Sequence, residues 1–143
     1  MKYRLITKYK YQILETFTID TKIKGIEIST DYVTLWEDGQ LFIWSGYAWD
    51  GSSVPLKGIV GILTLGLWDS DKFCKEASLV HDSLYQMMRK NLIPESYKEY
   101  IDTLYRDMCI AGGMSKRQAN ARFWALRNFA KIRPEKPDKI FET

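Results

Sequence analysis

Histidine is almost missing from this chain: His81 is the only one among 143 residues, and that scarcity removes several chemistries at once. Zinc sites built on several imidazoles, and the HD-type phosphohydrolases, need more histidines around their metals than the sequence holds. Cysteine is nearly as scarce. Cys74 and Cys109 fall inside helical patterns without paired-ligand spacing, so neither a zinc site nor a disulfide framework is expected, and a reducing compartment fits best. A Ser-His-Asp hydrolase using Ser52 or Ser53 lacks its Gly-x-Ser-x-Gly elbow, and no glycine-rich phosphate cradle occurs. The start, Met1-Lys2-Tyr3-Arg4, lacks the apolar core of a signal peptide, so no cleaved targeting segment is expected. Nor is there a dense Lys/Arg block: 21 basic and 18 acidic residues leave a net charge of +3, too small to argue for nucleic acid. The most apolar stretch, from Leu56 to Trp68, is 13 residues long, whereas a helix crossing a bilayer needs about 20.

What is present is enough apolar residue, 45% hydrophobic and 14% aromatic, for one core and one domain spanning residues 1–143. Alternation at Tyr9, Tyr11, Ile13, Phe17 and Ile19 predicts a strand over residues 9–19. A second extended run covers residues 24–29, and a hairpin follows in which residues 32–36 and 41–44 flank Asp38-Gly39. Residues 46–55 read as a structured loop: either an Asx-type turn that ends the sheet, or a loop presenting carbonyls and the Asp50 carboxylate to a hard cation. Residues 56–68 are expected to cover the core, with a subunit contact or a membrane-surface contact as alternatives.

Three helices complete the pattern. The first is capped near Asp69-Ser70, carries Phe73, Ala77, Val80, Leu84 and Met87 at core spacing, and ends near Lys90-Asn91. Pro94 opens the second, which buries Tyr97, Ile101, Leu104 and Met108 and stops at Gly112-Gly113. A capping box from Ser115 to Gln118 starts the third, which buries Ala119, Phe123, Leu126 and Ala130. The expected class is therefore α+β: a small N-terminal antiparallel sheet or meander (residues 1–48), a loop (49–68), a three-helix half (69–133) and an extended tail (134–143).

His81, Leu84, Tyr85 and Met88 fall at i, i+3, i+4 and i+7, which puts the imidazole on the edge of an apolar stripe. A buried imidazole needs a hydrogen-bond partner. The short connection at residues 92–93 makes the first two helices antiparallel and brings the turn holding Asp102 and Tyr105 opposite His81. Asp102 would then fix the tautomer of His81 and leave its other nitrogen as a general base toward water. Asp82, with Asp50, Gly51 and Ser52 of the loop, would bind a cation such as calcium, which would stabilise an oxyanion. The competing reading is a buried polar pair that knits two helices together without chemistry.

The run Lys8-Tyr9-Lys10-Tyr11-Gln12, then Gly46 to Ser52, then Leu79-Val80-His81-Asp82-Ser83-Leu84-Tyr85-Gln86, Asp102 with Tyr105, and Gly113-Met114-Ser115 closely resemble the DUF1353 family. These are small proteins encoded mainly by tailed bacteriophages and prophages. The resemblance spans nearly the whole chain and implies phage origin and a shared fold, but no activity; residues 56–68 are longer and more apolar than the family's equivalent stretch. More distantly, a loop ending near Pro55, followed by His81-Asp82-x-x-Tyr85 and a second aspartate at Asp102, is similar to phospholipases A2. That similarity implies His81 as base, Asp82 as calcium ligand, and Asp102, Tyr85 and Tyr105 as the orienting network. The chain departs from those enzymes in its single loop glycine, the wider spacing from Pro55 to His81, and the absence of their disulfide pattern.

Two classes of function follow. The first is a noncatalytic virion, tail or host-interaction protein, made in the host cytoplasm and carried in the virion, with a phage or host protein as partner. The second is a calcium-dependent, phospholipase A2-like esterase acting on envelope lipids. The accessibility of the His81 ring discriminates between them: a sealed ring leaves no base.

Overall fold

A computed structural model describes residues 1–6, 11–49 and 71–133. The N-terminal region forms two antiparallel sheets. Strands β1 (Tyr3–Leu5), β2 (Tyr11–Ile13) and β7 (Ala48–Trp49) make one in the order β1-β2-β7. Strands β3 (Phe17–Asp20), β4 (Ile28–Ser29), β5 (Val33–Leu35) and β6 (Gln40–Ile43) make the other in the order β3-β6-β5-β4.

The expected hairpin is β5-β6. Its register pairs Val33 with Ile43 and Leu35 with Leu41, so four apolar side chains share the buried face while Thr34 and Phe42 pair on the other. The turn needs Gly39: its φ is +100° and an added Cβ would lie 3.0 Å from the Lys22 backbone. Asp38 supports it by accepting from the Gln40 amide at 3.0 Å.

The expected single strand over residues 9–19 is corrected among the described residues. After β2 the chain bends at Leu14-Glu15, and β3 pairs with β6 in the other sheet. Alternation persists through the bend, so periodicity alone reads one strand where two have different partners. The run at 24–29 shrinks to the two residues of β4, after a positive-φ Gly25. The last described strand, β7, takes in Trp49, one residue beyond the expected 1–48.

The helical half matches the sequence pattern more closely. Helix α1 is Asp71–Arg89, α2 is Lys98–Ala111 and α3 is Lys116–Phe129. Helix α1 ends where Asn91 adopts φ +60° and the Leu92 amide returns to the Met87 carbonyl at 2.9 Å. Pro94 precedes a 3₁₀ turn, Glu95–Tyr97, which leads directly into α2. The Ser115 hydroxyl accepts from the Gln118 amide, as a capping box requires. The buried face of α2 is Ile101, Asp102, Tyr105 and Cys109, while Leu104 and Met108 are only half-buried. The helix is turned so that its polar pair, and not an all-apolar stripe, meets α1.

One core joins the halves: Ile13, Leu35, Leu41, Ile43 and Trp49 pack with Leu79, Leu84, Met87 and Ile101. The Trp49 indole donates to the Ser78 hydroxyl at 2.9 Å, tying β7 to α1. A second cluster among the helices contains Cys74, Ala77, Tyr105, Cys109, Met114 and Leu126. Here the cysteine expectation is overturned, for Cys74 and Cys109 form a disulfide between α1 and α2, with Cα atoms 4.8 Å apart. Gly112 permits the close approach at that end, since a Cβ there would stand 2.2 Å from the Phe73 carbonyl oxygen.

Among the described residues no helix is long and apolar enough to cross a membrane. The cap at Asp69-Ser70, the segment 56–68 and the tail 134–143 lie outside the described residues.

Candidate functional site

Helices α1 and α2 run antiparallel and meet through their polar pair. His81 Nε2 lies 2.9 Å from Asp102 Oδ1, and both residues are buried. Cys74 and His81 are offset by seven positions, as are Asp102 and Cys109, so in antiparallel helices the disulfide and the pair join matching positions, even though α1 is kinked at Cys74.

Asp102 is a hub. The Tyr85 hydroxyl donates to the same Oδ1 that His81 contacts. On the other oxygen, Lys98 Nζ donates at 3.0 Å and Arg127 Nη1 at 3.5 Å. Burial works to raise the Asp102 pKa, but the hydrogen bonds from His81, Tyr85 and Lys98 outweigh it and hold the carboxyl below its ordinary value. The group is therefore a carboxylate, and a carboxylate beside Nε2 accepts the ring proton there. Burial lowers the His81 pKa, against the raising effect of Asp102 and with the help of Lys98 and Arg89. The resting imidazole is neutral, protonated on Nε2, with its lone pair on Nδ1. Burial and the bond to Asp102 push the Tyr85 hydroxyl far above its usual pKa, so it stays a donor.

The ring is nearly buried but not sealed. His81 keeps 7% exposure and borders a cleft of about 620 Å³ together with Asp82, Tyr85, Arg89, Phe129 and Lys131. Nδ1 bonds nothing among the described residues. The cleft has apolar wall from Leu126, Phe129 and Ala130, and basic rim from Arg89, Lys131 and Arg133.

Of the residues singled out in the sequence, His81, Asp102 and Tyr85 come together as expected. Tyr105 lies beside them, its ring centroid 5.0 Å from that of His81, and its hydroxyl accepts from the buried Arg122 at 3.1 Å. Asp82 borders the cleft. Asp50, Gly51 and Ser52 lie outside the described residues, and among the described residues no group of three His, Cys, Asp or Glu is arranged to hold a metal. Lys98 and Arg127, the counter-cations of Asp102, were not anticipated. Lys98 was within reach of sequence reasoning, because a lysine four residues before a buried aspartate on one helix faces it. Arg127 comes from α3, whose rotation the sequence does not fix.

Compared with protein families, with curated proteins and with solved structures, the chain matches none.

Proposed function

We propose that the chain is a hydrolase of the phospholipase A2 type, in which His81 activates water for attack on a lipid ester. The observation that carries this reading is the His81 ring held by Asp102 through Nε2 while it borders a cleft. Nδ1 removes a proton from water as its oxygen attacks the ester carbonyl. The imidazolium so formed is stabilised by the Asp102 carboxylate, and it returns the proton to the departing alkoxide. Tyr85 and Lys98 hold Asp102 in place, acting as positioning residues. The apolar wall of the cleft suits an acyl chain, and its basic rim suits a phosphate-bearing head group.

Calcium belongs to this proposal through the resemblance alone. Asp82 is the one carboxylate among the described residues lining the cleft, and the further carboxylate of the resemblance, Asp50, lies outside the described residues, so no step above is routed through a metal.

The test is release of fatty acid from phospholipid vesicles, with and without calcium, by the intact chain and by His81→Gln and Asp102→Asn. Hydrolysis that falls about 10²–10⁴-fold in His81→Gln while the fold survives supports a general base. Absence of hydrolysis in the unaltered chain under both conditions overturns the proposal.

A second reading has its own observation. Tyr32, Trp36 and Trp44 are exposed large aromatic residues on the β5-β6 hairpin, which favours a protein-binding role such as a DUF1353-like virion, tail or host-interaction component made in a host cell.

A further inference from the structure

Charge is segregated along this chain in a way its net value hides. Between residues 25 and 56 there is no lysine or arginine, and the exposed Glu27, Asp31, Glu37 and Asp38 are all in this stretch. Between residues 108 and 134 there is no aspartate or glutamate, and six lysines and arginines occur.

The acidic stretch carries an exposed aromatic face. On the outward side of β5-β6, the rings of Trp36 and Phe42 are 6.3 Å apart and those of Phe42 and Trp44 5.6 Å apart, each pair edge to face. Tyr32, Trp36 and Trp44 are 51%, 45% and 38% exposed. Asp31 stands beside this row at one end of β5, and Glu37 and Asp38 stand at the other. The Trp44 indole N–H is already taken by the Thr34 hydroxyl at 2.9 Å, which leaves the ring faces as the surface on offer. Aromatic faces edged by carboxylates attract guanidinium and ammonium groups through both the ring quadrupole and the net charge.

The basic stretch presents what that face would take. Helix α3 turns Lys116, Arg117 and Trp124 to solvent, and the exposed Lys131 and Arg133 follow the helix. Trp124 is 50% exposed and packs edge to face on Phe129. Arg117 and Trp124 are seven residues apart and therefore share one side of the helix.

We propose that copies of this chain associate head to tail, the acidic aromatic face of the β5-β6 hairpin of one docking on the basic outer face of α3 of the next. The two patches differ, so the contact is heterologous and a row of copies retains one open patch of each kind, one at either end, until a ring closes. The inference does not rest on the hydrolase reading. It gives the protein-partner reading a surface and an occupant.

The test is sedimentation velocity of the full chain over a range of concentrations, at an ionic strength of about 20 mM and again at about 500 mM, where exposed ion pairs are screened. The expected result is assembly that grows with concentration at low salt and reverts to monomer at high salt. Glu37→Lys with Asp38→Lys, and separately Lys116→Glu with Arg117→Glu, should each be monomeric at low salt with unchanged circular dichroism. Mixing the two variants should restore assembly, because each then offers the complement of the other. Trp36→Gln, which keeps every charge, should weaken assembly several-fold. His81→Gln should assemble like the unaltered chain, whatever its effect on hydrolysis. A monomer at low salt at every concentration overturns the proposal. So does assembly that persists at high salt or ignores the charge reversals, which would assign it to an apolar contact or another partner surface.

Discussion

At the scale of single residues, the buried Asp102 carboxylate sets the behaviour of its neighbours, and pH is the direct way to expose this. The His81 pKa is lowered by burial, so between the folded value and the ordinary 6.5 the unfolded chain binds a proton that the folded chain does not. His81 therefore contributes stability that is fully present above about pH 6.5 and is lost as the pH falls through the folded pKa. Asp102, also lowered, adds a further loss below its ordinary 3.8 as it too must be protonated. The expected outcome is a denaturation midpoint that is level above about pH 6.5 and falls below it; in His81→Gln the onset of that fall moves to the lower pH range of the carboxylates. If His81 is the base, hydrolysis follows the neutral ring, with an acid limb below pH 6.5. The His81-Asp102 pair was legible in the sequence because an imidazole on an apolar stripe must find an acceptor. The true direction of the Tyr105 hydroxyl was not legible, since Arg122 reaches it from another helix.

At the scale of elements, the bond between Cys74 and Cys109 staples the same two helices that the polar pair joins. Loop-closure entropy for the 35-residue separation corresponds to about 4 kcal/mol, an upper figure that residual structure in the unfolded chain reduces. Cys74→Ser with Cys109→Ser is expected to lower the unfolding free energy by about 2–4 kcal/mol in urea, with thiol titration before and after reduction confirming the bond. Spacing rules for cysteine look for ligand motifs within one segment and miss this pair. Its signal was the equal offset of seven residues on two antiparallel helices, visible only after the helices are laid against each other. The helices themselves were readable from caps and periodicity: Ser115 and the Gly112-Gly113 stop stand where expected, while Pro94 opens a 3₁₀ turn and the helix itself starts four residues later at Lys98. The strands were less so. Two- and three-residue strands such as β7 and β1 owe their existence to the partner across the ladder, a long-range choice that local alternation does not encode.

At the scale of the whole molecule, sheets and helices share one core, yet the helical half has an additional bond of its own. Asp102 on α2 gathers donors from His81 and Tyr85 on α1, from Lys98 at the start of α2 and from Arg127 on α3, and Lys98 also donates to the Leu126 carbonyl of α3 at 2.8 Å. Neither α1 nor α3 can leave without taking away donors that hold this buried carboxylate, which destabilises it. The three helices should therefore open as one cooperative unit. In native-state hydrogen exchange, the slowest amides of α1, α2 and α3 are expected to share a single opening free energy and denaturant dependence. Asp102→Asn should split that shared value, with α3 exchanging first because it loses the Arg127 ion pair to Asp102 and keeps the Arg122-Tyr105 and Lys98-Leu126 hydrogen bonds to α2. A carboxylate that orients an imidazole thus also sets the boundary of a foldon.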